Sequence, residues 1–455
     1  MNTANRFIAA AVTAIASVAG AQTPPPVRNI GPVLASSTEP FAAVSQVRAL
    51  PGGRVIMHDL TGRRVVLLDS TFKSVTVIAD TTPATGNAYG SRLGGLIAYR
   101  GDSTLFVDPQ SISMLVIDPK GKIVRTIAAP LPNEVNALIG GQNGTPGYDP
   151  QGRLVYRSQI RPNMNFSKAT AGLPQMPQLP ESSIVVRVDL KTRKVDTAAT
   201  FRIPKLTFNM TRDDNTGRVQ ISTTVNPMPW TDDWALLADG TLAIVRGQDY
   251  RVDLVSPDGK LTQGSKMAFD WQRMTDEDKR ALIDSTRDAM EKTRAAQQAA
   301  QALASGDAKV TDPAAPGGRQ RPVGDGGGMT IVMAGGPDGG GRGGAPVGFT
   351  LPPLNFVEPS EMPDYRPVFK QGASRGDAEG NLWIRTSKLV NGGAVYDVVN
   401  NKGELRDRIA VPAGRSIAGF GPGGVVYMGV VDVTGITHIE RARVPVATAG
   451  AANNK

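Results

Sequence analysis

Three arginines stand at the ends of apolar runs that share one pattern. Arg157 follows Leu154-Val155-Tyr156, Arg246 follows Leu242-Ala243-Ile244-Val245, and Arg385 follows Leu382-Trp383-Ile384. Earlier runs end on carboxylates instead, Asp59 after Val55-Ile56-Met57-His58 and Asp108 after Leu105-Phe106-Val107, and a sixth run ends on Gly429. A guanidinium offers a fixed fork of donors that matches a carboxylate or a phosphate. The pattern therefore predicts an anion-binding patch of Arg157, Arg246 and Arg385 facing Asp59 and Asp108. A competing reading pairs each arginine with a neighbouring carboxylate such as Asp232, Asp233 or Asp377.

Other chemistries have little to stand on. The chain has two histidines, His58 and His438, and no cysteine. Thiolate catalysis and Cys–metal sites are excluded, and a His-based general base or multi-His metal site is not expected. No Gly-x-Ser-x-Gly elbow or phosphate loop stands at a strand-to-helix junction. The glycines of 335–344 lie in low-complexity sequence. No catalytic residue and no metal ligand is assigned from the residues themselves.

The elements that must position the arginines repeat. A polar turn precedes a short apolar strand in Pro51-Gly52-Gly53-Arg54-Val55-Ile56-Met57, and again at Gly101, Pro150, Ala238, Ala378 and Gly421. A second turn follows another β-rich run, as in Asp118-Pro119-Lys120-Gly121-Lys122 and Asn400-Asn401-Lys402-Gly403-Glu404. Asp and Asn cap such turns, and Gly accepts positive φ. Each unit is thus read as four antiparallel strands, A to D from the inside out, with one turn joining A to B and the other C to D. Six repeats of this kind predict an all-β, six-bladed β-propeller. The last unit offers three strands, and Val27 to Ala35 is expected to supply the fourth, closing the ring and removing an open sheet edge.

The long intervals hold insertions. The first contains a Pro/Met-rich loop, Arg161 to Pro180, and a hairpin, Leu206 to Val225, turning at 213–217. The second, 272–355, is expected to be a helix over about 275–304, with acid in its first turn, then a disordered Gly/Pro-rich loop over about 305–350. Residues 1–21 have the order of a signal peptide: Arg6, an apolar stretch from Phe7 to Val18, then Ala19-Gly20-Ala21. The propeller is placed at 22–445 and a disordered tail at 446–455. Export, secreted or periplasmic, is expected after cleavage near Ala21. The 455 residues carry a formal charge of +9. Without a basic run interleaved with aromatics this does not point to nucleic acid. The mature chain has no second long apolar run, so no transmembrane segment is expected, and a monomer is.

With these turns the chain resembles the NHL-type and TolB-like six-bladed propellers over roughly 27–270 and 362–445. The resemblance implies a ligand at one mouth of the central channel, either an anionic small molecule or a partner protein, on a binding scaffold without a cofactor. The alternative is a metal-dependent lactonase-like hydrolase or lyase. Propellers that resemble gluconolactonases hold a divalent cation, here Ca or Zn, with Glu, Asn and Asp. Glu39, Asn136, Asp149, Asp232 and Asp249 would be the candidates.

Overall fold

The computed structural model describes residues 24–82, 87–90, 92–159, 180–205, 207–212, 219–306, 354–432 and 434–445. The expected signal peptide, the loop 161–180 apart from its last residue, the turn 213–217, the segment 307–350 and the tail fall outside them.

The chain is a six-bladed β-propeller. Blade 1 runs Val44–Ala49, Val55–Asp59, Arg64–Leu68 and Val75–Asp80, each strand antiparallel to the next. Blade 2 is Gly95–Ala98, Thr104–Asp108, Ser113–Ile117 and Ile123–Ala128. Blade 3 is Gly147–Tyr148, Arg153–Arg157, Ser182–Asp189 and Val195–Arg202; blade 4 is Asp233–Leu236, Leu242–Arg246, Arg251–Val255 and Leu261–Thr262. Blade 5 is Phe369–Gly376, Leu382–Val390, Gly393–Val399 and Leu405–Ala410. Blade 6 is Arg415–Gly421, Val425–Val431 and Thr437–Arg443.

The turns work as their residues require. The Asp118 carboxylate accepts from the backbone N–H of Lys120 at 2.9 Å and of Lys122 at 2.8 Å, while Gly121 takes φ 82°. Asp149 accepts from Arg153 N, and Asp377 from Asn381 N, in the same way at A–B turns. These side chains replace backbone bonds that a tight turn leaves open.

Strand B lies between two neighbouring blades, so both of its faces are apolar. All five residues of Val55–Asp59 are buried. Successive residues face opposite neighbours: Ile56 packs with Leu96 and Phe106 of blade 2, while Val55 and Met57 pack with Tyr427 of blade 6. Full burial of such a side chain stabilises by roughly 1.5–3 kcal/mol, and each wedge between blades is filled this way.

The amino-terminal segment splits where one continuous strand was expected. Val33–Ser36 completes blade 6, antiparallel to Thr437–Arg443, and closes the ring. Val27–Asn29 instead runs parallel to Leu405–Ala410 as a fifth strand on blade 5. Gly31 lies between the two, its N–H bonded to Arg443 O at 3.0 Å. One segment thereby ties the last two blades together. The hairpin expected between blades 3 and 4 is present as Thr207–Arg212 and Val219–Val225, extended by Asn355–Phe356 in parallel. The helix spans Asp276–Gly306. Thr275 caps it, accepting from Asp278 N at 3.1 Å while Asp278 accepts from Thr275 N at 2.9 Å. No helix among the described residues is long and apolar enough to cross a membrane.

One connection shapes the functional face. Between blades 2 and 3 the chain passes through Pro132–Leu138 and Gly141–Asn143 and reaches inner strands on both sides of the ring. Gln46 of blade 1 donates to Ile139 O at 2.7 Å, and Trp234 of blade 4 donates to Asn143 O at 2.9 Å. Gly372 of blade 5, at φ 78°, lies so close that a Cβ there would stand 2.7 Å from Gly141 O. The segment 139–144 thus crosses the channel mouth on the face that carries the B–C turns.

Candidate functional site

The ladder registers place the five polar residues singled out by sequence. Counted from the A–B turn hydrogen bond, Leu50 N to Arg54 O, Tyr99 N to Ser103 O, Asp149 N to Arg153 O, Leu237 N to Thr241 O and Asp377 N to Asn381 O are equivalent. Five residues beyond these acceptors lie Asp59, Asp108, Ser158, Arg246 and Thr386. Asp59, Asp108 and Arg246 are therefore in register. Arg157 and Arg385 stand one residue earlier, at the position of His58. Gly429 is displaced likewise, because Val426 and Met428 pack toward blade 5 and Tyr427 toward blade 1. A one-residue slip along a strand moves a side chain to the opposite face. The expected single tier of three arginines is therefore split: Arg246 faces back, while Arg157 and Arg385 face the next blade.

The two aspartates are occupied by their own backbone. Asp59 accepts from Ala42 N at 3.1 Å, Ala43 N at 3.0 Å and Gly62 N at 3.1 Å, and pairs with Arg64. Asp108 accepts from Gly90 N, Gln110 N and the Ser111 hydroxyl at 2.6 Å. Both fix the geometry of loops at the B–C end. Arg246 bridges Asp232 at 2.9 Å and Asp253 at 2.7 Å. Burial works against its charge, but these hydrogen bonds outweigh it and raise its pKa. Its cleft, about 460 Å³, also holds Arg202, Arg251, Glu181 and Asp249, three cations against three carboxylates. Arg157 stacks over Phe201 and donates to Ser183 at 3.1 Å; burial lowers its pKa against the pull of Asp233.

Arg385 differs from both. It is exposed and has no ion pair or side-chain hydrogen bond among the described residues. It lines a cleft of about 490 Å³ between the B–C turns of blades 5 and 6 and residues 42–44 of blade 1. The other charged lining residue is Arg415, which is held by Glu440 through two bonds, at 2.8 and 3.1 Å. One uncompensated positive charge therefore faces the cleft. Leu389 and Val431, 64% and 52% exposed, add an apolar wall.

Sequence reasoning missed Arg375, on strand A of blade 5. It lies opposite Trp383, with Arg385 two residues beyond Trp383 on the same face. Desolvation lowers its pKa, and Arg385 pushes it the same way. The available signal was an arginine at an inner-strand position where blades 2 and 4 carry Ile97 and Ala235 and blade 1 also carries an arginine, Arg48.

His58 is sealed between Tyr89 and Phe106, and burial depresses its pKa to about 4. The carboxylates considered for a cation are dispersed: Glu39 pairs with Arg64, Asp149 with Arg153 and Asp249 with Lys266. Among the described residues no three His, Asp or Glu side chains gather as metal ligands.

No family model matches the chain, and no curated protein does. Solved structures are similar to it at low identity. A gluconolactonase from Xanthomonas campestris is 12% identical, covering 92% of this chain and 99% of that one, with a TM-score of 0.37. A PQQ-bound aldose sugar dehydrogenase from Streptomyces coelicolor is 13% identical, covering 92% and 100%, with a TM-score of 0.37. A virginiamycin B lyase from Staphylococcus aureus is 10% identical, covering 90% and 88%, with a TM-score of 0.33.

Proposed function

We propose that this propeller is a binding protein for a small ligand with an anionic group, held by Arg385 in the cleft between blades 5 and 6. The observation that carries this reading is the unpaired Arg385 guanidinium in a cleft whose other cation is already neutralised. An exposed guanidinium loses little by exchanging water for a carboxylate or phosphate fork. Leu389 and Val431 favour a ligand with an apolar portion next to that group.

Benzoate serves as a probe with one charge and one apolar ring. Isothermal titration calorimetry is expected to show binding that Arg385→Ala weakens at least tenfold, with the melting transition retained. Equal affinity in the variant would sink the proposal.

A further inference from the structure

A second arginine stands near Arg385 without being among the residues that line the cleft. Arg375 and Arg385 lie on adjacent antiparallel strands of blade 5 and on the same face, related as diagonal neighbours. Such positions are roughly 7–8 Å apart between Cα atoms, within reach of long side chains. That face is turned toward blade 6, where Trp383 packs against Ile417 and Val426. Arg375 makes no hydrogen bond or ion pair among the described residues; its electrostatic neighbours are Tyr396 and Arg385.

Two like charges placed this way destabilise each other. Several arginines elsewhere in the ring are matched, although Arg48, at the corresponding inner-strand position of blade 1, has a buried Nε without a hydrogen-bond partner among the described residues. Arg246 has Asp232 and Asp253, Arg408 has Asp397, and Arg415 has Glu440. The Arg375–Arg385 pair has no such carboxylate among the described residues. A half-buried guanidinium and an exposed one therefore share that face.

Building on the reading above, we propose that Arg375 and Arg385 together grip one doubly charged oxyanion, so that the cleft selects a phosphomonoester over a carboxylate. The ligand class is an organic phosphate with an apolar substituent, its phosphoryl oxygens between the guanidiniums and its substituent against Leu389 and Val431. Arg–phosphate contacts are commonly bidentate, and two forks can engage the three terminal oxygens of one group.

Phenyl phosphate and benzoate, which share the ring and differ in the charged group, make the test. At pH 8 and fixed ionic strength, calorimetry of the full chain is expected to give phenyl phosphate at least a tenfold tighter affinity. Arg375→Gln is expected to collapse that ratio to below threefold, chiefly through loss of phenyl phosphate affinity. Arg385→Gln should weaken both ligands. An unchanged ratio in Arg375→Gln would overturn the two-arginine grip alone, whereas unchanged benzoate binding in Arg385→Gln would overturn the cleft itself. Should Arg375→Gln fail to fold, the wild-type protein still decides. Its affinity for phenyl phosphate must rise as the second proton leaves, near pH 6 for a phosphomonoester, and a profile flat from pH 5 to 8 would refute the preference for a dianion.

Discussion

Arg246 ends strand B of blade 4 and Arg385 lies within strand B of blade 5, yet one is a structural tie and the other faces a ligand-sized space. Arg246 sits in a cleft with equal numbers of acids and bases, spanning Asp232 and Asp253. Arg385 sits in a cleft of similar size with no carboxylate of its own. The difference comes from register and neighbours. Arg246 points back toward strand-end acids of its own blade and its approach loop, while Arg385, one residue out of step, points forward into the gap before blade 6. In a repeated fold, equivalence in sequence does not fix role; the side of the sheet does.

The other occupants of the forward-facing position sharpen this contrast and carry the largest expected effect. In blade 1 the position is His58, sealed by aromatics, and in blade 3 it is Arg157, which lies near the buried Asp233. Burial lowers His58 from 6.5 to about 4. The unfolded chain then takes up a proton that the fold refuses, so this stability is present above pH 6.5 and lost as pH falls toward 4. Burial raises Asp233 from 3.8 to about 6, even though it accepts from Gly372 N and Ser374 N. Here the fold keeps a proton that the unfolded chain releases, so this stability is present below pH 3.8 and lost as pH rises to 6. A gap of one pH unit between the folded and unfolded values corresponds to about 1.4 kcal/mol, so each group is worth on the order of 3 kcal/mol, with opposite sign. Urea denaturation from pH 4 to 7 should show the wild type losing stability relative to His58→Phe on acidification. It should lose stability relative to Asp233→Asn as pH rises from 4 to 6. A difference that stays flat with pH in either pair would refute the sealed state of that position.

The arginines themselves come next. Arg246→Ala is expected to cost about 2 kcal/mol. Breaking a buried ion pair can cost about 3–5 kcal/mol, but Arg246 is partly exposed, and Asp253 keeps Arg251 while Asp232 keeps two backbone donors. Arg385→Ala removes no hydrogen bond or ion pair among the described residues and should stay within about 0.5 kcal/mol. Chemical denaturation of the two variants measures the contrast. Equal losses would mean that Arg385 has a structural partner after all.

The repeat itself was legible because its punctuation is chemical. Asp118, Gly121, Asp149 and Asn400 do in space what their types imply at a turn. The B-strand ends were less legible, since nothing in an apolar run marks which residue faces which blade. A count from the turn would have served: Arg54 to Asp59 and Thr241 to Arg246 are both five steps, whereas Arg153 to Arg157 and Asn381 to Arg385 are four. Asp232 was among the carboxylates named as partners and does pair with Arg246, but Glu440 for Arg415 comes from a separate strand, just as Asp397 accepts from the distant Tyr250. Local pattern does not specify such distant partners. The segment 139–144 was invisible for a similar reason, because its course is set by Gln46, Trp234 and the missing side chain at Gly372.

The smallest expected effect separates charge from shape. Arg385→Lys keeps the positive charge but replaces a planar fork with a hydrated point charge. If the cleft holds its anion by a fork, phenyl phosphate should bind about fivefold more weakly, roughly 1 kcal/mol, while the fold is untouched. The same substitution at Arg246 acts on stability instead, because a single ammonium cannot span Asp232 and Asp253 as Nη1 and Nε do. Calorimetry on one variant and denaturation on the other therefore probe the same chemical change in the two clefts. Should Arg385→Lys bind as tightly as the wild type, the cleft is selecting by field alone. Raising the salt concentration would then abolish binding by both proteins to the same degree, because a bare Coulomb attraction at an exposed site is screened over about 10 Å at 0.1 M salt.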